Sequence, residues 1–270
     1  MPELPEVETV VRTLELQVKD TCIDKVEVFY PKMIEMEVNT FIETLEGQSF
    51  REFKRRGKYL LLGMDTCYLM VHLRMEGKFY LHPEEEIKTK HVHVIFHLRD
   101  GRQLWYHDTR KFGRMQLYPL DMDFDQFHDL GYEPFDERLD VNYLYPKFKS
   151  HQIPIKSVLL DQRIIAGIGN IYADEILYAC KIHPATKANR ITKKQCTTLI
   201  EQTRRILSEA IKAGGTTLRS YTSSYHITGR FQLMCKVHGQ TLCECGNPIK
   251  KIVVGQRGTY YCPICQKKRY

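Results

Sequence analysis

A chain of 270 residues, 43% apolar and 27% charged, has the composition of an ordinary globular protein with room for two domains, or for one domain and a small module. No apolar run approaches the roughly 20 residues a membrane helix requires. The acidic, amphipathic start is unlike a signal peptide, and nine unevenly placed cysteines argue against a disulfide framework, so an intracellular protein is expected.

The first stretch in chain order, Met1-Pro2-Glu3-Leu4-Pro5-Glu6, couples a small penultimate residue to a helix start. Pro2 permits removal of Met1, which leaves a free secondary amine. Pro5 suits a first helical position, and Val7, Val10, Val11, Leu14 and Val18 follow at helical spacing. The partial positive charge of that helix end disfavours a second cation, lowers the amine's pKa and so favours a nucleophile. Glu3 is placed to move protons. The plain alternative is an ordinary proline-rich, acidic first turn.

β-like runs follow. Val26, Val28 and Tyr30 alternate with polar residues, Lys58 to Met64 and Cys67 to Met75 flank Asp65-Thr66, and His91 to Leu98 alternates strictly. Gln103 to His107 comes after a turn at Asp100-Gly101. This spacing predicts a sandwich or barrel with the first helix packed on it. Residues 120–150 are acidic, aromatic and proline-marked, and read as a linker with some local helix. From Ile153 the pattern is helical. Thr192 and Gln195 fit a capping box, Ile191 and Cys196 a hydrophobic staple, and Gly214-Gly215 a helix end. Ala166-Gly167-Ile168-Gly169-Asn170 interrupts two helical segments, as a phosphate-binding turn or a plain helical corner.

Charge divides the chain. Residues 1–150 carry 21 Lys/Arg against 27 Asp/Glu, and residues 151–270 carry 19 against 6. The basic half reads as a polyanion-binding surface, with nucleic acid foremost, or as a solvated basic face. At the tail, Cys243-x-Cys245 and Cys262-x-x-Cys265 are separated by 16 residues, the pattern of a zinc ribbon with a hairpin over Ile252 to Tyr261. One structural Zn²⁺ would supply folding energy that so short a segment lacks. Arg257 sits between the pairs, and Cys235 with His238 is a spare ligand pair.

Taken together, these residues resemble the formamidopyrimidine-DNA glycosylases, base-excision enzymes of the bacterial Fpg/Nei family. The resemblance spans the chain: Pro2 to Thr9, with Leu4 marking the formamidopyrimidine branch; Arg56 to Leu60; His72 to Gly77; Asp108 to Gly113; Ala166 to Tyr172; Gly214 to Thr217; and the zinc tail. It implies an α+β architecture of an N-terminal helix plus β-sandwich, a helix–two-turn–helix domain and a β-hairpin zinc finger. The corresponding boundaries are 1–131, a linker 132–150, 151–232 and 233–270. Damaged double-stranded DNA is the implied partner, a monomer in the bacterial cytoplasm the implied state. Pro2 would attack C1′ and form an iminium, with strand cleavage by β,δ-elimination. Glu3 would donate the proton, Lys58 would serve in catalysis and at phosphate, and Glu6 would support the N-terminus or merely charge the helix start. His72, His91, Asn170 and Arg257 would bind DNA, while Met75, Arg110 and Phe112 would fill the gap left by an everted base.

Three departures stand against the pattern. The first cysteine pair is C-x-C with a short lead-in, which bears on the placement of Arg257. His238 replaces a tyrosine that commonly contacts phosphate. The loop Leu218 to Phe231 is bulky around His226, which bears on whether 8-oxoguanine or another lesion is preferred. The rival reading is a lesion-sensing DNA-binding protein without excision.

Overall fold

The computed structural model describes residues 1–82, 89–216 and 230–268. The chain forms two compact units that divide between Phe124 and Asp125. The first opens with α1 (Leu4–Val18), capped by Glu3 and Glu6 in a reciprocal capping box. Glu3 takes the N-cap, so Pro5 is the second helical residue, one later than the sequence suggests. Its missing N–H still costs nothing there, because the first helical N–H groups have no intrahelical acceptor.

Among the described residues of this unit eight strands follow α1: β1 (Ile23–Val28), β2 (Glu52–Arg56), β3 (Tyr59–Gly63), β4 (Cys67–His72), β5 (Lys78–His82), β6 (Val92–Leu98), β7 (Gln103–His107) and β8 (Arg114–Pro119). They form two antiparallel sheets of four, ordered β1-β6-β7-β5 and β2-β3-β4-β8. A second helix, α2 (Val38–Leu45), precedes β2. One apolar core joins the inner faces of both sheets to α1: Val7, Val11, Leu14 and Val18 meet Leu60, Leu62, Leu69, Val71, Phe96 and Tyr106. Each such side chain contributes about 1.5–3 kcal/mol on burial.

β2, β5, β8 and α2 are not evident in the sequence. β2 (EFKRR) and β8 (RMQLYP) are only partly buried and lack clean alternation. In β4 all six residues are buried, so the strand reads as a continuous apolar run and its end at His72 is invisible.

The second unit holds α3 (Val141–Lys149), α4 (Ile155–Leu159), α5 (Asn170–Ala179), α6 (Lys193–Lys212) and a hairpin of β9 (Lys250–Val254) and β10 (Arg257–Tyr261). Residues 132–150 pack as part of it. The Arg204 guanidinium of α6 donates to the carbonyls of Pro134, Asp136 and Leu139, and Leu144 and Phe148 are fully buried. Thr192 and Gln195 form the expected capping box of α6. Gly214 and Gly215 end that helix at φ +75° and +77°, with the Gly215 N–H bonded to Ala210 O at 2.8 Å. Among the described residues no helix is long and apolar enough to cross a membrane.

Gly77 and Gly113 both face the buried Tyr106 hydroxyl; a Cβ at Gly113 would lie 1.9 Å from it. We expect Gly113→Ala to destabilise the first unit by about 1–3 kcal/mol through overpacking. Tyr106→Phe in the same chain should recover part of the loss, measured as the shift in urea midpoint.

Candidate functional site

In the first unit the chain's amine lies in a mostly buried, strongly charged setting. The structure retains Met1, so the free amine is one residue ahead of the buried Pro2. Burial lowers its pKa below the ordinary 8.0; Glu3, Glu6 and Glu76 pull it back up, and Lys58 pushes it down. Desolvation is therefore the leading cause of the shift, ahead of any neighbouring charge. Glu3 and Glu6 are 4% and 5% exposed, and Glu6 Oε2 accepts the Glu3 N–H at 2.8 Å. That bond fixes the backbone carrying the amine.

Lys58 arrives from a two-residue turn, Gly57-Lys58, closed by the pairing of Arg56 with Tyr59. Gly57 has φ +58°, a left-handed value that suits glycine. Arg55 braces the turn, donating to Gly57 O at 3.0 Å and to Glu8 of α1 at 3.0 Å. Lys58 itself is 6% exposed. Next to the turn, the buried His72 accepts the Arg74 N–H on Nδ1 at 3.0 Å and meets the Tyr59 ring edge-on at 4.5 Å.

The turn after β4 carries the half-buried Met75, and the loop after β7 carries the exposed Arg110 and Phe112. The Tyr106 hydroxyl lies against both Gly77 and Gly113, so these two loops adjoin. Asp108, fully buried, holds the second loop: its carboxylate accepts the N–H groups of Arg110 at 2.9 Å and Gly113 at 2.8 Å. The Arg110 guanidinium lies over the Phe112 ring at 4.9 Å, a cation–π pair at an exposed edge. His91 is half-buried, 5.4 Å from the His107 ring, and its carbonyl accepts the Asp108 N–H.

The second unit is organised by α5. Gly167, at φ +94°, turns the chain into it, and the Gln162 side chain braces that turn through Gly167 N–H and Ile168 O. Asn170, the first residue of α5, donates to Gly258 O at 3.0 Å. One turn on, the Asp174 carboxylate is fully buried. It meets Lys156 Nζ at 2.7 Å, His238 Nδ1 at 2.7 Å and the Tyr260 N–H at 3.1 Å. Glu175 accepts three successive N–H groups, Lys236, Val237 and His238, while burial raises its pKa against their pull.

Arg257 is exposed at the end of the β9–β10 hairpin, whose two-residue turn has Gly255 at φ +55° and Gln256 at φ +62°. A Cβ on Gly255 would lie 2.3 Å from Ser157 Oγ, so this tip packs on α4.

Cys243, Cys245, Cys262 and Cys265 place their sulfurs within 4.8 Å of one another. The Cys243–Cys265 and Cys245–Cys262 separations are 3.8 and 3.6 Å. A tetrahedron with Zn–S bonds of about 2.3 Å has edges of about 3.8 Å, so the set fits one structural zinc, and the C-x-C spacing does not prevent it. Tyr178 lies 3.1 Å from Cys243 Sγ, and Asn247 Nδ2 donates to Cys245 Sγ at 3.4 Å. Such contacts orient thiolate ligands. Cys235 and His238 stand outside the cluster, and His238 is occupied by Asp174.

Sequence reasoning missed Lys156, Gln162, Asp174, Glu175 and Asp108. Each is a polar residue whose contacts no local pattern marks, and the partners of Asp174 and Glu175 in the finger stand more than 60 positions away. The loop around His226, on which lesion preference was expected to turn, lies outside the described residues.

Three family models match the chain. They are the formamidopyrimidine-DNA glycosylase N-terminal domain over residues 1–115, the H2TH domain of the same enzymes over 130–222, and a zinc finger found in FPG and IleRS over 244–268. A formamidopyrimidine-DNA glycosylase of Bacillus licheniformis is 46% identical over 275 residues, covering 99% of this chain and 100% of that protein. One from Ligilactobacillus salivarius is 46% identical over 272 residues, covering 98% and 99%. The Lactococcus lactis Fpg in complex with abasic-site DNA superposes with a TM-score of 0.93 at 38% identity, covering 98% of this chain and 100% of that one. The wild-type form of that protein in complex with N7-benzyl-Fapy-dG-containing DNA also gives 0.93 at 38% identity, covering 99% and 100%.

Two outcomes are expected from this geometry. Lys156→Met leaves the Asp174 carboxylate buried without its cation and should destabilise the second unit by about 3–5 kcal/mol. Adding Asp174→Asn should restore part of the melting temperature. Metal analysis should find one zinc per chain, and Cys262→Ser should lose it along with protease resistance of residues 236–268.

Proposed function

The chain belongs to the formamidopyrimidine-DNA glycosylase family, and from that premise we propose a bifunctional DNA glycosylase and AP lyase of base-excision repair. It acts on oxidised purines in duplex DNA in the bacterial cytoplasm. Removal of Met1 transfers the free amine to Pro2. The Pro2 nitrogen attacks C1′ of the damaged nucleotide as the bond to the base breaks; the new ammonium gives up its proton, and the C1′–O4′ bond then opens with protonation of O4′ by Glu3, which leaves the secondary amine as a charged iminium. That electron sink acidifies the C2′ protons. Loss of one expels the 3′ phosphate, and δ-elimination then expels the 5′ phosphate, so one amine serves both base removal and strand cleavage.

The observation that carries this reading is the burial of Pro2, Glu3, Glu6 and Lys58 at the start of the first unit, in a chain similar to its relatives from end to end. Glu3 donates and accepts protons at the sugar, Lys58 serves the reacting nucleotide and its phosphate, and Glu6 holds Glu3 in place. His72, His91, Asn170 and Arg257 bind the DNA backbone, positioning it without reading sequence. Met75, Arg110 and Phe112 replace the stacking lost when a base is flipped; the Arg110–Phe112 pair at an exposed loop edge supports that role.

Borohydride should trap a covalent complex with abasic-site or lesion-bearing duplex, and Pro2→Gly should abolish it. Intact Met1 by mass spectrometry together with no trapping would sink the mechanism. The non-excising lesion sensor predicts binding without nicking at an abasic site, and intact Pro2, Glu3 and Lys58 disfavour it.

A further inference from the structure

A second basic surface in the helical unit uses none of the residues given a role above. From Val141 to Ile155 the chain carries Lys147 and Lys149 and no Asp or Glu. From Ile176 to Ile200 it carries Lys181, Lys187, Arg190, Lys193 and Lys194, again with no Asp or Glu. The fold joins the two stretches. Ile155 N–H donates to Thr186 O at 2.7 Å, Ala188 N–H to Ile153 O at 2.9 Å and Asn189 N–H to His151 O at 3.0 Å. Lys149 Nζ then donates to Asn189 O at 2.6 Å.

The cations gather around tyrosines. Lys149 Nζ and Lys193 Nζ lie 5.1 and 5.5 Å from the centre of the one Tyr145 ring, and Lys147 Nζ 4.7 Å from that of Tyr143. Lys149, Lys187, Arg190, Lys193 and Lys194 are exposed. None of the ion pairs formed among the described residues includes them, whereas Arg138, Arg163 and Arg205 of the same unit each meet a carboxylate. Lys193 and Lys194 also open the 20-residue α6, whose N-terminal end adds further positive potential. Two ammonium groups over one ring, at a helix N-terminus, repel each other, and no carboxylate in either stretch compensates. An anion from outside the chain would.

We propose that this face, formed by the C-terminal end of α3, the 187–190 turn and the first turn of α6, binds the phosphate backbone of DNA flanking the lesion. The inference rests on the duplex-DNA reading above and extends its footprint. Backbone is favoured over bases because Tyr143 and Tyr145 are half-buried with lysines over them, leaving no free ring on which a base could stack. Spaced cations without an aromatic platform suit a regular row of phosphates.

The test compares two duplexes that carry a tetrahydrofuran abasic analogue, one of about 12 bp, roughly a helical turn, and one of about 30 bp. Affinity is read by fluorescence anisotropy over a salt series for the wild type and for K149Q/K193Q/K194Q. All three side chains are exposed, and an unchanged melting temperature confirms that the variant folds. The variant should bind the long duplex on the order of tenfold more weakly, and its log–log salt slope should flatten by about 0.9 for each phosphate that is no longer neutralised. Binding of the short duplex, and borohydride trapping on a short duplex with a natural abasic site, should be unchanged. Equal weakening on both duplexes would mean a general field and overturn the proposal. No change on either would also overturn it, and binding of poly-glutamate by the wild type in that case would assign the face to acidic protein. A wild type that neither binds nor is trapped on the short duplexes would instead refute the catalytic reading.

Discussion

A buried ion pair, Lys156 Nζ to Asp174 Oδ1 at 2.7 Å, is the interaction on which the second unit turns. Both side chains are fully buried, and two charges taken out of water are costly unless each is paired and hydrogen-bonded. The remaining bonds meet that condition. Lys156 also donates to Thr259 Oγ1 at 2.7 Å and lies near Gly258 O, while Asp174 accepts from His238 and from the Tyr260 N–H. Helix α4, helix α5 and the zinc hairpin are thereby fastened at one point. A hydrophobic contact could bury as much area, but it would not fix the register of a two-stranded hairpin against a helix.

That fastening extends to Asn170 and Arg257. Asn170 donates to Gly258 O, the carbonyl next to Arg257, so the first residue of α5 and the exposed arginine are held in one frame. Zinc organises the far end of the hairpin, Gln266 ties it to Ile182 O, and the Gly255 tip lies on Ser157. A short segment without a core of its own is held here by a metal site at one end and by buried polar bonds at the other.

The first unit meets a different constraint. Burial lowers the pKa of the Met1 amine at the start of the chain more than the adjacent carboxylates raise it. Glu3 and Glu6 remain close to it because they cap α1, so two acids needed for structure also set the charge around the amine. The Gly77–Tyr106–Gly113 contact serves a similar double purpose. It fills the interior and brings the Met75 turn beside the Arg110–Phe112 loop.

Sequence alone determined what is local: α1 and α6 with their caps, the turn at Gly167, and two cysteine pairs at metal spacing; the alternation expected over His91 to Leu98 does not hold, because a register shift after Val92 sets it with Ile95 and Trp105 and both faces of β6 are buried. The local features follow from a period of 3.6 and from the backbone demands of glycine and proline, which act over a few residues. Motif order also identified the family, and with it the candidate site residues. What only tertiary structure decided is which buried polar groups meet. Asp174 with Lys156, His238 and Tyr260, Glu175 with 236–238, and Asp108 beneath the Arg110 loop leave no periodic trace. Their pairing depends on chain segments brought together by the fold, and a carboxylate reads the same in sequence whether it faces water or replaces it.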